Sequence, residues 1–296
     1  MKLKEKKIPT ISVDTWINTY VFEGKNKDSQ KILLTGGIHG DEATSIVVLK
    51  DILPYLEKVE EEELHGTVIV ISTCNPEAFR YTMRASPADS QDLNKIFPGD
   101  PRGTATERIA ASIWSQAKEC DYVFDLHGCG KECYPYILLH KREIAMKLVQ
   151  HIPHKVVVTS HGTGGQLFVE ALEENIPAAI LEIRGGNGMI DLDDRTYARE
   201  LVLKLLENTD FLEGEGEQVD QQILGKIEAV HAQKSGVFLP KVHPGDRIKK
   251  RELLGTVEGD PVQSPVSARV IKIRKASVTF PGDNLAGIAP FKEKNV

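Results

Sequence analysis

The chain has 296 residues, 41 % hydrophobic and 27 % charged, enough for one large globular domain or a core domain with a small companion. Its formal net charge of −6 argues against nucleic acid or an anionic membrane surface as the main partner. No apolar run approaches the roughly 18–20 residues of a membrane helix, and the basic N-terminus lacks the apolar segment of a secretory signal.

In chain order, apolar or β-branched runs at 17–22, 31–35, 67–73, 121–125, 155–159 and 177–182 predict strands. Helical patterns in ATSIVVLKDILPYLEKV, ATERIAASIWSQAKE and RTYARELVLKLLENT fall between or after them. This alternation, up to about residue 209, predicts an α/β domain with a mixed sheet whose parallel part is covered by helices. The segment from Cys74 to Thr104 carries little periodicity, and so long a connection inside a compact domain is usually functional. The acidic stretch EGEGEQVDQQ reads as an exposed connection, and short strands punctuated by Gly, Pro and Asp follow it. We therefore expect a mixed-sheet domain over residues 1–212 and a small β-domain over 213–296.

The cysteines, Cys74, Cys120, Cys129 and Cys133, make no framework of the kind small secreted domains use, so a reducing cytoplasm is the expected compartment. Cys129 and Cys133, in CGKEC, are expected to be reduced and inert.

Residues 36–42, GGIHGDE, follow the run 31–35. Loops at the carboxyl ends of strands in open α/β sheets are where ligands bind. The HxxE spacing lets His39 and Glu42 face one way from a single turn, a donor pair that suits Zn²⁺. The competing reading is a solvated turn in which Asp41 or Glu42 caps the next helix. A third ligand stands in VFDLHGCG, where His127 also ends an apolar run. Two histidines and a glutamate match the open three-ligand set of catalytic zinc. Asp125 either orients an imidazole or merely ends its strand.

The long loop contains MRASPADSQDLNKIFPGD. Arg84 is suited to polarising a carbonyl, and Asn94 and Lys95 to holding a substrate carboxylate. In AAILEIRGG, Glu182 closes an apolar run, where a carboxylate is costly without a task or a partner. It is either a general base that deprotonates water and then protonates a leaving amine, or the partner of Arg184. His65, His140, His151 and His154 read as surface residues, whereas His161, in a glycine-rich loop, is a candidate to face the pocket.

Together these segments resemble the succinylglutamate desuccinylase/aspartoacylase family, a branch of the zinc carboxypeptidase-like superfamily. The resemblance runs from about residue 31 to 209, through GGIHGDE, NPEAFR, the loop from Arg84 to DLNK and FPG, DLHG and LEIRGG. It implies a zinc carboxypeptidase-like α/β fold, a mixed sheet flanked by helices, with a small C-terminal all-β domain. It also implies His39, Glu42 and His127 as ligands of a single zinc ion, Arg84 as the carbonyl-polarising arginine, Asn94 as the carboxylate-binding asparagine and Glu182 as the catalytic glutamate. The family usually has DLNR where this chain has DLNK; Lys95 keeps the charge but loses the bidentate fork.

The implied activity is removal of an acyl group from an N-acyl amino acid or related small amide. A metallocarboxypeptidase acting on short peptides, an amidase for another substrate and a non-catalytic zinc-binding assembly protein are the rivals. The expected partner is the small substrate, with neither nucleic acid nor membrane, and a homo-oligomer remains open. The C-terminal pattern also resembles half of a lipoyl/biotinyl-type barrel. Its expected hairpin tip, VEGDPVQSPV, lacks the carrier lysine, which leaves a lid or assembly surface as the reading.

Overall fold

A computed structural model describes residues 2–9, 16–25 and 30–292. The strands of its first part are β1 (Lys2–Pro9), β2 (Trp16–Glu23), β3 (Lys31–Gly36), β4 (Thr67–Ile71), β5 (Tyr122–Gly128), β6 (Tyr136–His140), β7 (Val156–Ser160) and β8 (Ala178–Ile183). A short hairpin, β9 (Gly185–Gly186) and β10 (Met189–Ile190), precedes β11 (Gln222–Leu224). All but the hairpin join one nine-stranded sheet in the order β1-β2-β4-β3-β5-β8-β6-β7-β11. Strands β1, β6 and β11 were not anticipated, because none stands out as a long apolar run. Strand β11 lies beyond residue 212 yet pairs in parallel with β7.

The centre of the sheet, β4-β3-β5-β8, is parallel throughout. These strands are buried almost end to end, which explains the unbroken apolar runs of β3 and β4. Strand β6 runs antiparallel to β8, and β7 and β11 follow the direction of β6. The sheet thus has two carboxyl edges. Strands β3, β5 and β8 open on one, and β6, β7 and β11 on the other.

The helices are α1 (Ala43–Leu56), α2 (Pro76–Arg80), α3 (Ala105–Ala117), α4 (Met146–Val149), α5 (Leu167–Glu173) and α6 (Leu192–Asn208). Helix α1 buries Ile46, Leu49, Ile52, Leu53 and Leu56, a stripe at helical spacing, and packs on β3, β4, β5 and α6. Helix α3 opens on a reciprocal capping box between Thr104 and Glu107, which anchors the end of the long loop.

The C-terminal strands are β12 (Glu228–His231), β13 (Gly236–Pro240), β14 (Arg247–Ile248), β15 (Leu253–Val257), β16 (Asp260–Gln263), β17 (Ala268–Ile273), β18 (Ser277–Thr279) and β19 (Asn284–Pro290). They form two four-stranded antiparallel sheets, β12-β19-β17-β14 and β16-β15-β13-β18. Phe238, Leu254, Val270, Leu285 and Ile288 fill the core between them. The alternation along β13, with Phe238 buried between exposed Val237 and Leu239, is the period of a half-buried strand. The β15–β16 hairpin turns at Glu258 and Gly259, both at positive φ, with no lysine at its tip.

A third apolar cluster joins the two parts. Cys129, Cys133, Tyr136 and Val158 from the large sheet meet Leu224, Ile271 and Ala289. Cys129 and Cys133 are not free thiols: the turn between them folds back, their Cα atoms stand 5.9 Å apart, and a disulfide joins them. Cys74 and Cys120 are free and buried.

Candidate metal centre

The ends of β3 and β5 place three donors together. The turn after β3 requires Gly37 at φ +65°, and it delivers His39 and Glu42 to the carboxyl edge of the sheet. Glu42 occupies the N-cap position of α1, but its carboxylate makes no cap. It lies between two imidazoles instead: Oε1 is 2.8 Å from His39 Nδ1, and Oε2 is 3.1 Å from His127 Nδ1. The Gly128 N–H donates to the same Oε2 at 2.7 Å. A side chain at Gly128 would meet Glu42 Cγ at 2.9 Å, so glycine is what permits this approach. Ligand atoms of His39, Glu42 and His127 all lie within 4.8 Å of one another, and all three residues are buried. Among the described residues this is the group arranged to hold a metal ion.

Each imidazole is held on its far side. His127 Nε2 is 2.8 Å from Asp125 Oδ2, and the Thr35 hydroxyl donates to Asp125 Oδ1 at 2.8 Å. Asp125 is fully buried, so the orienting reading displaces the strand-end one. His39 Nε2 is 3.1 Å from Asp92 Oδ1. Both Nδ1 atoms are thereby left facing Glu42, the carboxylate–histidine arrangement that supports a bound metal. The donor chemistry fits a divalent transition metal, with neutral imidazole and carboxylate in the manner of open zinc sites.

Electrostatics follow from this packing. Burial pushes the Glu42 carboxyl up, yet the charges and hydrogen bonds of His127 and His39 hold it well below the usual range. Burial disfavours charge on His127, but Asp125 and Glu42 raise it well above an ordinary histidine. His39 is raised as well, burial being outweighed by hydrogen bonds to Asp92 and Glu42. Asp92 falls to about 2, its burial overcome by His39 and by Arg84.

Glu182 sits one strand away, paired in register with His127 on β5 and with Tyr136 on β6. Burial and the charge of Glu42 raise its carboxyl, against the opposing pull of His127. Its competing reading fails, because Arg184 bonds to Asp194 at 2.5 and 3.0 Å. Among the described residues Glu182 makes no hydrogen bond or ion pair, so its carboxylate is uncommitted. Arg84, more than half exposed, reaches over the cluster to Glu42 Oε1 at 3.5 Å and Asp92 Oδ2 at 3.3 Å. Asn94 is buried beside Asp92, which accepts its N–H at 3.0 Å, and the Asn94 side-chain oxygen has no partner. Lys95 is exposed, and its main chain packs against Gly165.

Other histidines fall elsewhere. His65 is exposed, and His140 and His151 are half-buried. His154 is buried rather than superficial, with Nε2 on the Pro135 carbonyl at 2.9 Å and Nδ1 on the Tyr197 hydroxyl at 2.5 Å. His161 is exposed and follows β7, whose carboxyl end lies at the other edge of the sheet. It does not face the cluster. Sequence reasoning assigned no task to Asp92. Its place in DLNK, between Arg84 and Asn94, was the available signal.

A mixed α/β sheet with a His–Glu–His cluster at its carboxyl edge defines the class, an α/β protein with a candidate metal centre. The pattern of the succinylglutamate desuccinylase/aspartoacylase catalytic domain matches residues 28–209, and the chain belongs to that family. A stretch of 119 residues is 35 % identical to the N-alpha-acetyl-L-2,4-diaminobutyric acid deacetylase of Halomonas elongata, covering 39 % of this chain and 34 % of that protein. The chain thus matches about a third of the length of that curated relative. The product-bound ectoine utilization protein EutE (DoeB) of Ruegeria pomeroyi superposes with a TM-score of 0.83 at 24 % identity, over 98 % of this chain and 95 % of that one. A succinylglutamate desuccinylase/aspartoacylase from Rhodobacter sphaeroides gives 0.81 at 21 %, over 99 % and 96 %. These two likenesses establish the fold across both the large and the C-terminal sheets.

Proposed function

We propose that the chain is a zinc-dependent amidohydrolase that removes an acyl group from an N-acyl amino acid or a related small amide. The observation that carries this reading is the uncommitted Glu182 carboxylate in register with His127, beside the buried His39–Glu42–His127 cluster. Zinc held by His39, Glu42 and His127 would act as a Lewis acid, polarising the scissile carbonyl and acidifying water. Glu182 takes a proton from the attacking water and passes it to the departing amine as the C–N bond breaks. Its raised pKa suits both halves of that exchange. Arg84 stands over the cluster and donates to the carbonyl oxygen as negative charge gathers there. Asp125 and Asp92 hold the imidazoles in orientation throughout. Asn94, beside Asp92, would donate its side-chain amide to a substrate carboxylate. The small N-acetyl amino acid named for the Halomonas elongata relative supports this substrate class.

The test is an assay of the purified protein on N-acetyl and N-succinyl amino acids beside short peptides. Release of carboxylic acid from the N-acyl amino acids is expected, lost on chelation and restored by zinc. Glu182→Ala keeps its zinc by elemental analysis but loses kcat by at least about a hundredfold. Near-normal turnover by Glu182→Ala refutes its role, and exclusive cleavage of peptides transfers the reading to a carboxypeptidase.

A further inference from the structure

The C-terminal sheets approach the metal centre along one line of backbone contacts. Lys272 of β17 lies opposite Cys133 in an antiparallel bridge. Beside it the Tyr134 N–H donates to the Ile271 carbonyl at 2.7 Å, and the Ile273 N–H to the Glu132 carbonyl at 3.2 Å. Lys275 pairs with Glu132 at 2.8 Å. Residues opposed in such a bridge send their side chains to the same face. The Cys133 side chain reaches Cys129 through the disulfide, and the Cys129 N–H donates at 2.8 Å to the carbonyl of Ile183, which follows Glu182. The face that carries Lys272 is therefore the one turned to the end of β8. Its stem lies over Gly287, its neighbour on β19. The side chain is exposed and has no ion-pair partner among the described residues, and its positive charge is felt at Glu182.

A substrate carboxylate entering this site meets the negative charges of Glu42, Glu182 and Asp92, and needs a cation that is not already engaged. Arg84 is shared between Glu42 and Asp92, and Arg184 is taken by Asp194. Lys95 is exposed and its main chain packs against Gly165, whereas it is the charge of Lys272 that is felt at Glu182. We propose that Lys272, supplied by the C-terminal sheets, is the cation that holds a free carboxylate of the substrate. The sheets then complete the active site rather than merely cover it. This inference rests on the deacylase reading above.

The carboxylate belongs either to the amino acid or to the acyl group, and paired probes separate the two. The zinc-loaded protein is assayed on N-acetyl-L-2,4-diaminobutyrate, on its carboxamide, and on an N-succinyl amino acid amide. In Lys272→Met, KM for whichever probe carries the recognised carboxylate rises by at least about tenfold, as loss of a charge-assisted hydrogen bond requires. Its kcat stays within about twofold, and the probe lacking that carboxylate keeps its KM. Lys272→Arg restores most of the affinity. Equal losses on charged and neutral probes overturn the proposal, as does a loss in Lys131→Met, on the same turn, without one in Lys272→Met. Calorimetric binding of the charged probe to Glu182→Gln, with and without Lys272→Met, reads the same contact independently of turnover. An unchanged Kd there also overturns it. Wild-type protein that cleaves none of the probes refutes the deacylase reading instead, and calorimetry still decides the role of Lys272.

Discussion

Asp92 touches His39 through Oδ1 at 3.1 Å and Arg84 through Oδ2 at 3.3 Å, and accepts the Asn94 N–H at 3.0 Å. With its pKa near 2 it stays ionised at neutral pH, so one carboxylate fixes an imidazole, a guanidinium and the turn that carries Asn94. Asp92→Asn keeps the shape but not the charge, and is expected to weaken zinc binding by about ten- to a hundredfold in competition with a chromogenic chelator. The folded protein by itself raises His39 and His127, whereas a metal ligand must be a neutral imidazole. Uptake of a metal ion between these imidazoles would therefore displace protons, and zinc affinity is expected to fall as pH falls. Calorimetry in buffers of different ionisation enthalpy is expected to register that release; a buffer-independent enthalpy at neutral pH contradicts the ligand assignment. His39, Glu42, His127 and Glu182 were legible in the sequence because each stands at or just past the end of an apolar run. Asp92 was not, since its partner His39 lies 53 positions away and the loop between them has no periodicity.

At the scale of elements, His154 fastens α6 to the segment before β6, through the Tyr197 hydroxyl and the Pro135 carbonyl. Burial lowers its pKa to about 4. The unfolded chain binds a proton on this residue below about 6.5, and the native chain does so only below about 4. Its contribution is complete above pH 6.5 and is lost as pH falls through the window down to 4. The loss is at most about 3 kcal/mol. Urea unfolding across that range is expected to give a shallower pH dependence for His154→Gln than for wild type; identical slopes would remove His154 from the account. Proline beside a histidine reads locally as a surface turn. Only the packing of α6 across it reveals the burial. The same holds for β6, where Tyr136–His140 is short and follows a turn with charged residues. Its reversal relative to β8 sends His161 to the far edge and makes β8 the last strand to open onto the metal centre from that side.

At the scale of the whole molecule, the cluster of Cys129, Cys133, Tyr136, Val158, Leu224, Ile271 and Ala289 carries the C-terminal sheets against the large one. Ile271 is fully buried there, and Ile271→Ala is expected to cost about 2–4 kcal/mol in urea unfolding, with KM raised more than kcat is lowered. A cost below about 0.5 kcal/mol would show that the junction is not packed as described. By itself, the sequence determined the mixed α/β class, the small β-rich end and the candidate cluster of His39, Glu42 and His127. Those signals are local: apolar periodicity, turn residues, and donors placed where runs stop. Only the tertiary structure decided that Asp92 and Asp125 hold the two imidazoles, that Arg184 leaves Glu182 uncommitted, that Cys129 and Cys133 join, and that Lys272 stands on the face turned toward β8. Each of these depends on which strands become neighbours and in which direction they run. That is a choice made by burying the whole core at once, and no short stretch of chain contains it.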